Sequence, residues 1–256
     1  MGYASIKDPS VYFQAVLYTG TGSTQSVGND GNSNLKPDWV WIKKRNSTGN
    51  HSVFDSTRGA TKELVTNGTN AEATDAQLLT QFDTDGFTVG TNSGVNGSSD
   101  TFVAWQWKAN GGTTSSNTDG SITSTVQADT TAGFSIVSFT GNGSNDATIG
   151  HGLGTTPAMI ITKNRDDSVS WRVWHQDLTS TNMLFINSNN GETDPSSQGN
   201  GYIKTVGSST YSVYQGTTDT NGVNGSSDNM IAYCFAEIKG YSKFGKYVGT
   251  GSTVNA

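Results

Sequence analysis

The residue types that most often carry chemistry are few in this chain and lie far apart. There are three histidines, His51, His151 and His175, and one cysteine, Cys234, among 256 residues. The histidines form no H-E-x-x-H motif and no pair with metal-ligand spacing on one strand. The sequence also lacks a G-x-S-x-G nucleophile elbow and a phosphate loop ending in Gly-Lys-Ser/Thr. We therefore expect no catalytic residue, no cofactor and no metal site, and the chain is predicted not to be an enzyme.

Aromatic residues are the other candidates for recognition, because their rings can stack on sugar rings. Trp105 and Trp107 lie two residues apart, so on a β-strand both side chains point to one face. Trp171 and Trp174 are two further candidates. These four residues are possible glycan-stacking positions. The alternative is that they fill a hydrophobic core, where aromatic side chains are usually buried.

The composition indicates how such residues must be positioned. Only 14% of the residues are charged, whereas Gly occurs 32 times and Pro four times, which favours many turns and short elements over long helices. Six Trp, ten Phe and nine Tyr are too many for a disordered chain. The net charge of −6 and the scattered basic residues give no footprint for nucleic acid. No apolar run approaches about 18 residues, so no membrane insertion is expected.

Three stretches of the chain recur in the same order and at nearly constant offset. GVNGSSD occurs at 94–100 and again at 222–228, and YTGTGS at 18–23 returns as FTGNGS at 139–144. PDWVWIKKR at 37–45 returns as PAMIITKNR at 157–165. An ordered set of matches of this kind indicates an internal duplication. The two GVNGSSD copies each precede an apolar segment, so we interpret them as turns that lead into a core strand.

The duplication predicts how the chain is divided. Residues 1–111 form the first repeat, and the Gly/Ser/Thr/Asn-rich residues 112–121 form a linker. Residues 122–242 form the second repeat. Residues 243–256 resemble the start of a third copy, and they are either a partial repeat or a strand exchanged with a neighbouring sheet.

The apolar segments are short and bounded by Gly, Asn, Ser or Pro, which is typical of strands. Residues 70–81 are the exception and are expected to form a short helix or an irregular loop. The predicted fold is all-β, with two tandem β-sandwich (jelly-roll-like) domains. Predicted strands lie at 11–18, 39–44, 52–54, 86–89, 101–107, 122–126, 133–139, 159–163, 171–175, 183–187, 202–206, 211–214 and 230–235.

Comparison of the two copies separates core positions from candidate sites. Trp39 and Trp41 are replaced by Met159 and Ile161, which supply apolar volume but no ring, so this face is predicted to be core. The segments 102–105 and 230–235 are apolar in both strand phases, which implies that their outer face is covered by another sheet, domain or chain.

Two charged residues also recur between the copies. Arg45 has its counterpart in Arg165, at the end of the same strand. Both are either solvated or form ion pairs, structural or between subunits, with carboxylates such as Asp100 and Asp228.

The sequences of these motifs and their order along the chain resemble a repeat domain of virion structural proteins, of the tail-fibre or surface-appendage type, from marine and cyanobacterial bacteriophages. The resemblance covers nearly the whole chain. The motifs that carry it are YTGTGS, PDWVWIKKR, FDSTRG, DTDGFTVG and VNGSSDTFVAWQWKA in the first copy, and AGFSIVSFTGNGS, IGHGLGTTPAMIITKNRD and IAYCFAEIKGYSKFGKYVG in the second. The second copy departs from the first where FDSTRG becomes WHQDLT, so Arg58 has no counterpart there.

This resemblance implies a non-enzymatic virion structural protein, part of a tail fibre, a surface appendage or a capsid decoration. Its expected partners are copies of itself, with a trimer favoured, and other virion proteins. The N-terminal residues lack the pattern of a secretion signal, so we expect synthesis in the host cytoplasm and localisation in the virion. The alternative is a lectin-like module that recognises glycans of the host surface.

Overall fold

The computed structural model describes residues 5–179, 181–196, 199–218 and 221–250. These residues form an all-β fold in which every paired strand runs antiparallel to its neighbours. The only α-helix in this part of the chain is four residues long. Two large sheets and two small sheets contain all the named strands of the described ranges.

The first half of the described chain, residues 5–111, begins with a 3-10 turn at Pro9–Val11. It contains one helix, α1, and nine strands. These are β1 (Phe13–Thr19), β2 (Gln25–Val27), β3 (Trp39–Lys44), β4 (His51–Asp55), β5 (Lys62–Val65), β6 (Ala73–Thr74), β7 (Leu79–Phe82), β8 (Phe87–Val89), α1 (Ser93–Asn96) and β9 (Thr101–Trp107).

The second half, residues 112–250, also contains nine strands in its described residues. These are β10 (Ser115–Asn117), β11 (Ser124–Asp129), β12 (Phe134–Thr140), β13 (Ala147–Gly150), β14 (Met159–Asn164), β15 (Arg172–His175), β16 (Tyr202–Val206), β17 (Thr210–Tyr214) and β18 (Asn229–Phe235).

Each half contributes one large and one small sheet. The first large sheet has the strand order β1-β9-β3-β4-β5-β6, and the first small sheet has the order β2-β8-β7. The second large sheet has the order β10-β11-β12-β18-β14-β15, and the second small sheet has the order β13-β17-β16.

Three hydrophobic clusters place the sheets in layers. Within each half, side chains from the large and the small sheet form one cluster, with Phe102 and Phe87 in the first and Met230 and Tyr211 in the second. A third cluster joins the two large sheets and contains Trp39 of the first and Tyr233 of the second. Because side chains alternate along a strand, each large sheet has one face toward its small sheet and the other toward the opposite half.

The segments 102–105 and 230–235, which are apolar on both strand faces, were predicted to have a covered outer face. For β18 this prediction is confirmed. All residues from Met230 to Phe235 are buried. In β9 the inner-face residues Phe102 and Ala104 are buried, whereas the outer-face residues Val103 and Trp105 are half-buried. The second large sheet is therefore covered more fully than the first.

The strand predictions differ from the structure in several places. The predicted strand 183–187 is wrong, because only isolated bridges form there, at Met183 and Leu184. The predicted helix or loop 70–81 contains β6 and the start of β7. The predicted linker 112–121 contains β10, which pairs with β11. Residues 243–250 contain no strand, and 251–256 lie outside the described residues, so the partial repeat or exchanged strand stays a prediction.

Candidate functional site at the junction of the two large sheets

Aromatic rings fill the junction between the two large sheets. Trp39 is 2% exposed, and its ring centroid lies 4.6 Å from that of Tyr233 and 4.6 Å from that of Trp107. Sheet register explains this arrangement, since Trp39 pairs with Trp107 in the first large sheet and Phe134 pairs with Phe235 in the second. Trp39 is thus a core residue, as the comparison of the repeats predicted, whereas Trp41, which was predicted to be core as well, is only half-buried.

A cleft of about 330 Å³ opens beside this aromatic stack. We call it the aromatic cleft, and its wall includes Tyr12, Phe13, Trp41, Trp107, Tyr241 and Phe244. Its volume lies within the range of small-molecule sites, about 300–1,000 Å³. The first half supplies Tyr12 to Trp107, and the segment that follows β18 supplies Tyr241 and Phe244.

The aromatic cleft has few polar groups. The ammonium of Lys108 has no ion pair or hydrogen bond within the described residues, and Lys108 is the one basic residue of the described cleft wall. The indole N–H groups of Trp39 and Trp41 are buried and have no hydrogen-bond partner in the described part of the chain. Burial raises the pKa of Tyr241 to about 12, so this phenol is neutral at ordinary pH.

A buried ion pair lies deeper in the junction. Arg58 Nε donates to Asp55 Oδ2 at 2.5 Å, and both side chains are 0% exposed. From the other half, Tyr233 Oη donates to the same carboxylate oxygen at 2.7 Å. Burial alone would lower the pKa of Arg58, but the charge and hydrogen bond of Asp55, together with the charges of Tyr233 and Glu72, outweigh burial and raise that pKa. The group is therefore a fixed cation whose carboxylate partner is shared between the halves.

Glu72 extends this network to a second cation. Its carboxylate accepts bonds from Arg165 Nε at 2.8 Å and Arg165 Nη2 at 2.9 Å, and Arg58 Nη1 lies 3.1 Å from it. Burial opposes ionisation of Glu72, but the hydrogen bonds of Arg165 and the charge of Arg58 lower its pKa. This bidentate pair joins the loop before β6 to the end of β14.

The candidate tryptophans occupy different environments. Trp171 is 0% exposed and its Nε1 donates to the Val65 carbonyl, so the core alternative applies to it. Trp107 is half-buried in the wall of the aromatic cleft, and Trp105 is half-buried on the same outer face. Trp174 is half-buried and packs against the core of the second half. The structure does not bring the four residues together as one platform.

The candidate charged residues pair differently from the sequence expectation. Arg165 binds Glu72 rather than Asp228, whose carboxylate instead accepts from Asn164 Nδ2 at 2.8 Å. Asp100 pairs with Lys44 at 2.7 Å rather than with Arg45. The reason is the position of Lys44 and Asn164, which lie on the strand face toward these carboxylates, whereas the side chain of Arg45 is exposed.

The repeated GVNGSSD turns have the same hydrogen bonds in both halves. Asn96 is fully buried and binds the turn after β1, where its Oδ1 accepts from Thr21 N at 2.9 Å. Asn224 is its counterpart, and its Oδ1 accepts from Asn142 N at 3.0 Å. In each turn the chain approaches so closely that a Cβ on Gly20 would lie 2.2 Å from the Gly97 carbonyl oxygen. Both copies lead into the core strands β9 and β18, as predicted, but the start of the first copy belongs to α1 rather than to a turn.

Residues that could carry other chemistry are buried or isolated. Burial lowers the pKa of His151 and raises the pKa of Cys234 to about 12, so neither is charged near neutral pH. Within the described ranges, no cluster of three or more His, Cys, Asp or Glu residues is placed to bind a metal ion. No helix among the described residues has the length and hydropathy to cross a membrane.

Sequence reasoning identified Trp107 and Arg165 but missed the network around Arg58. The FDSTRG motif contained one signal, because Asp55 and Arg58 are three residues apart in a turn. Glu72 and Tyr233 come from distant parts of the chain, and no local pattern joins them to this turn. Phe244 was missed because residues 243–256 were interpreted as a partial repeat or an exchanged strand, and Tyr241, at the end of the predicted second repeat, had no pattern that marked it.

Comparison with protein families matches residues 8–256 to a domain of unknown function, DUF7483. The chain belongs to the DUF7483 family. The match runs through both halves, so a single DUF7483 unit includes both large sheets and the aromatic cleft between them. No match was found among curated proteins or among solved structures.

Proposed function

We propose that this chain is a non-enzymatic structural protein of a bacteriophage virion, part of a tail fibre, a surface appendage or a capsid decoration. The resemblance of its motifs to virion repeat domains is the sequence support. The observation that carries the proposal is the junction of the two large sheets. A module that transmits force or resists proteases benefits from halves that share a core, because such halves do not move about a flexible joint.

We infer further that the two halves are copies of one jelly-roll-like β-sandwich, with repeats at 1–111 and 122–242. The strand order β1-β9-β3-β4 of the first half has its counterpart in β12-β18-β14-β15 of the second. The small sheets correspond in the same way, as β2-β8-β7 and β13-β17-β16. The paired bonds of Asn96 and Asn224 support this equivalence, since both connect the same two repeated motifs.

A homo-oligomer, with a trimer favoured, is part of this proposal, and β1 is the surface on which we place the contact. β12 of the second half is the counterpart of β1, and β11 pairs with the edge of β12. Among the described residues, no strand covers the corresponding edge of β1, and its Leu17 is 61% exposed. An uncovered edge with an exposed apolar side chain is a site for strand pairing with another chain.

The test of the virion proposal is labelling of intact particles. Antibodies raised against the purified chain and coupled to gold are expected to decorate phage particles at regular positions, visible by electron microscopy. Antibodies that bind infected-cell lysate but no purified particle would contradict the proposal.

Glycan recognition is a second candidate, favoured by the half-buried indoles of Trp105 and Trp107 on one sheet face. A half-exposed indole offers one ring face for stacking on a sugar. A glycan array probed with the purified chain tests it. Binding that is lost in Trp105→Ala is expected, and an array without hits would remove this candidate.

A further inference from the structure

The aromatic cleft is more apolar than a sugar site and is chemically polarised. Its wall consists mostly of aromatic and aliphatic side chains, and the Lys108 ammonium is the one cationic group among the residues that line it. A sugar needs a hydrogen-bond partner for most of its hydroxyl groups, and this wall offers few. An elongated apolar body is the shape and chemistry that this wall accommodates.

Charge decides which apolar ligand fits. Aromatic faces attract cations, so Trp41 and Trp107 alone would favour a quaternary ammonium. However, the described cleft wall includes the basic residue Lys108 and no acidic residue; Asp129, whose charge acts on Tyr241, is not among the residues that line it. An anionic head group beside Lys108 gains a charge-assisted hydrogen bond instead.

We propose that the aromatic cleft binds a small amphiphilic anion, with an aliphatic or aromatic body against Trp41, Trp107 and Tyr12 and a carboxylate or similar head at Lys108. Binding would take place at the junction of the halves, where Tyr241 and Phe244 meet the first half. The ligand would therefore bridge residues from both ends of the chain. Because it would bind the folded state only, it would stabilise that state increasingly as its free concentration rises above its Kd.

Three probes with the same chain and different head groups test this proposal, namely decanoate, decanol and decyltrimethylammonium, each below its micelle concentration. Binding to the full chain is followed by tryptophan fluorescence and by calorimetry. Decanoate is expected to bind about tenfold more tightly than decyltrimethylammonium, which corresponds to one charge-assisted hydrogen bond. Equal affinity for the three probes, or tighter binding of the cation, would overturn the proposal.

Substitution of the cation supplies the second arm. Lys108→Gln is expected to weaken decanoate binding about tenfold and to leave decanol binding unchanged. Lys204→Gln is the matched control, because it removes the same charge on β16, where Lys204 pairs with Asp146 away from the cleft. Both side chains are partly exposed, so both variants should fold, and an unchanged thermal transition without ligand confirms this. Equal effects of the two variants, or no decanoate binding by the parent chain, would refute the site.

Discussion

Two tryptophans of the junction have the same burial and different hydrogen bonding. Trp39 and Trp171 belong to one cluster and are 2% and 0% exposed. The Trp171 indole donates to the Val65 carbonyl at 2.9 Å, whereas the Trp39 indole has no partner in the described residues. A buried donor without a partner costs about 1–3 kcal/mol, so these two indoles contribute unequally to stability.

This difference gives the first prediction. Trp171→Phe should lower the free energy of unfolding by at least about 1 kcal/mol more than Trp39→Phe, because only Trp171→Phe breaks a hydrogen bond. Both changes remove a similar apolar volume, so each is the control for the other. Urea denaturation measures both values, and equal losses would contradict the assigned hydrogen bonding.

Two glutamates of the first half should have opposite effects on the pH dependence of stability. The Glu72 pKa is lowered, because its bonds to Arg165 and the charge of Arg58 outweigh burial. Its stabilisation is therefore present above the ordinary pKa of about 4.5 and is lost as the pH falls through the lower folded value. Burial raises the Glu63 pKa, so its stabilisation is present in acid and is lost as the pH rises through the folded value.

The second prediction follows from these signs. Glu72→Gln should destabilise the chain at pH 7. It should also reduce the loss of stability below about pH 4.5, because part of that loss comes from protonation of the Glu72 carboxylate. Glu63→Gln should be neutral or stabilising at pH 7, since it removes a carboxylate that is ionised against burial. Thermal unfolding from pH 3 to pH 7 measures both variants. Parallel pH profiles for the two would contradict the assigned shifts.

At the scale of elements, each GVNGSSD segment connects strand ends that are far apart in the sequence. Asn224 is fully buried, and its Nδ2 donates to Asn142 Oδ1 and to the Ser144 carbonyl. Its role is structural, because it ties the turn before β18 to the turn after β12. The repetition of GVNGSSD is thereby explained by the hydrogen bonds of one buried side chain.

The third prediction concerns this buried amide. Asn224→Ala should lower the free energy of unfolding by about 3 kcal/mol, since about three hydrogen bonds are lost inside the protein. Asn50→Ala is the control, because Asn50 is exposed and should change stability by less than about 0.5 kcal/mol. Chemical denaturation of both variants provides the comparison, and similar losses would show that the turn is not fixed by Asn224.

The fourth prediction concerns the uncovered edge of β1. Leu17→Lys should weaken self-association of the chain without unfolding it, because an exposed lysine opposes strand pairing at an edge. Sedimentation velocity of the parent and variant chains at the same concentration measures this. An oligomer that persists in the variant would place the contact elsewhere, and a parent chain that stays monomeric would contradict the oligomer itself.

Sequence patterns predicted several apolar strands and missed two short polar edge strands, for a physical reason. β3, β9 and β16 have apolar side chains that must be buried, and their predicted bounds are correct. β10 has the sequence SSN and β6 the sequence AT, so neither has an apolar pattern to reveal it. These edges form because a neighbouring strand offers unpaired backbone groups, which is a property of the sheet rather than of the segment.

The candidate site was predictable only in part, for a related reason. Comparison of the two copies identified Trp39 as a core residue, and Trp107 was predicted as a candidate for ring stacking. Both residues lie in the junction. The bond between Tyr233 and Asp55 spans 178 residues, so it depends on how the two large sheets meet. The aromatic cleft forms where the two large sheets meet, and neither half of the chain contains it alone.

At the scale of the whole molecule, we infer that the two halves form one folding unit. The junction contains its own hydrophobic cluster, the shared Asp55 carboxylate and the Glu72 pair with Arg165. Halves that depend on such contacts should not be stable separately, because each would expose an apolar face and unpaired buried charges. The family match over residues 8–256 agrees with a unit of this size.

Differential scanning calorimetry of the full chain tests this claim most directly. We predict a single unfolding transition whose calorimetric and van't Hoff enthalpies agree, because the junction couples both halves. Arg58→Ala, which leaves Asp55 buried without its cation, should lower the stability of that whole transition by about 3–5 kcal/mol. Two separate transitions in the parent chain, with only one of them shifted by Arg58→Ala, would contradict it.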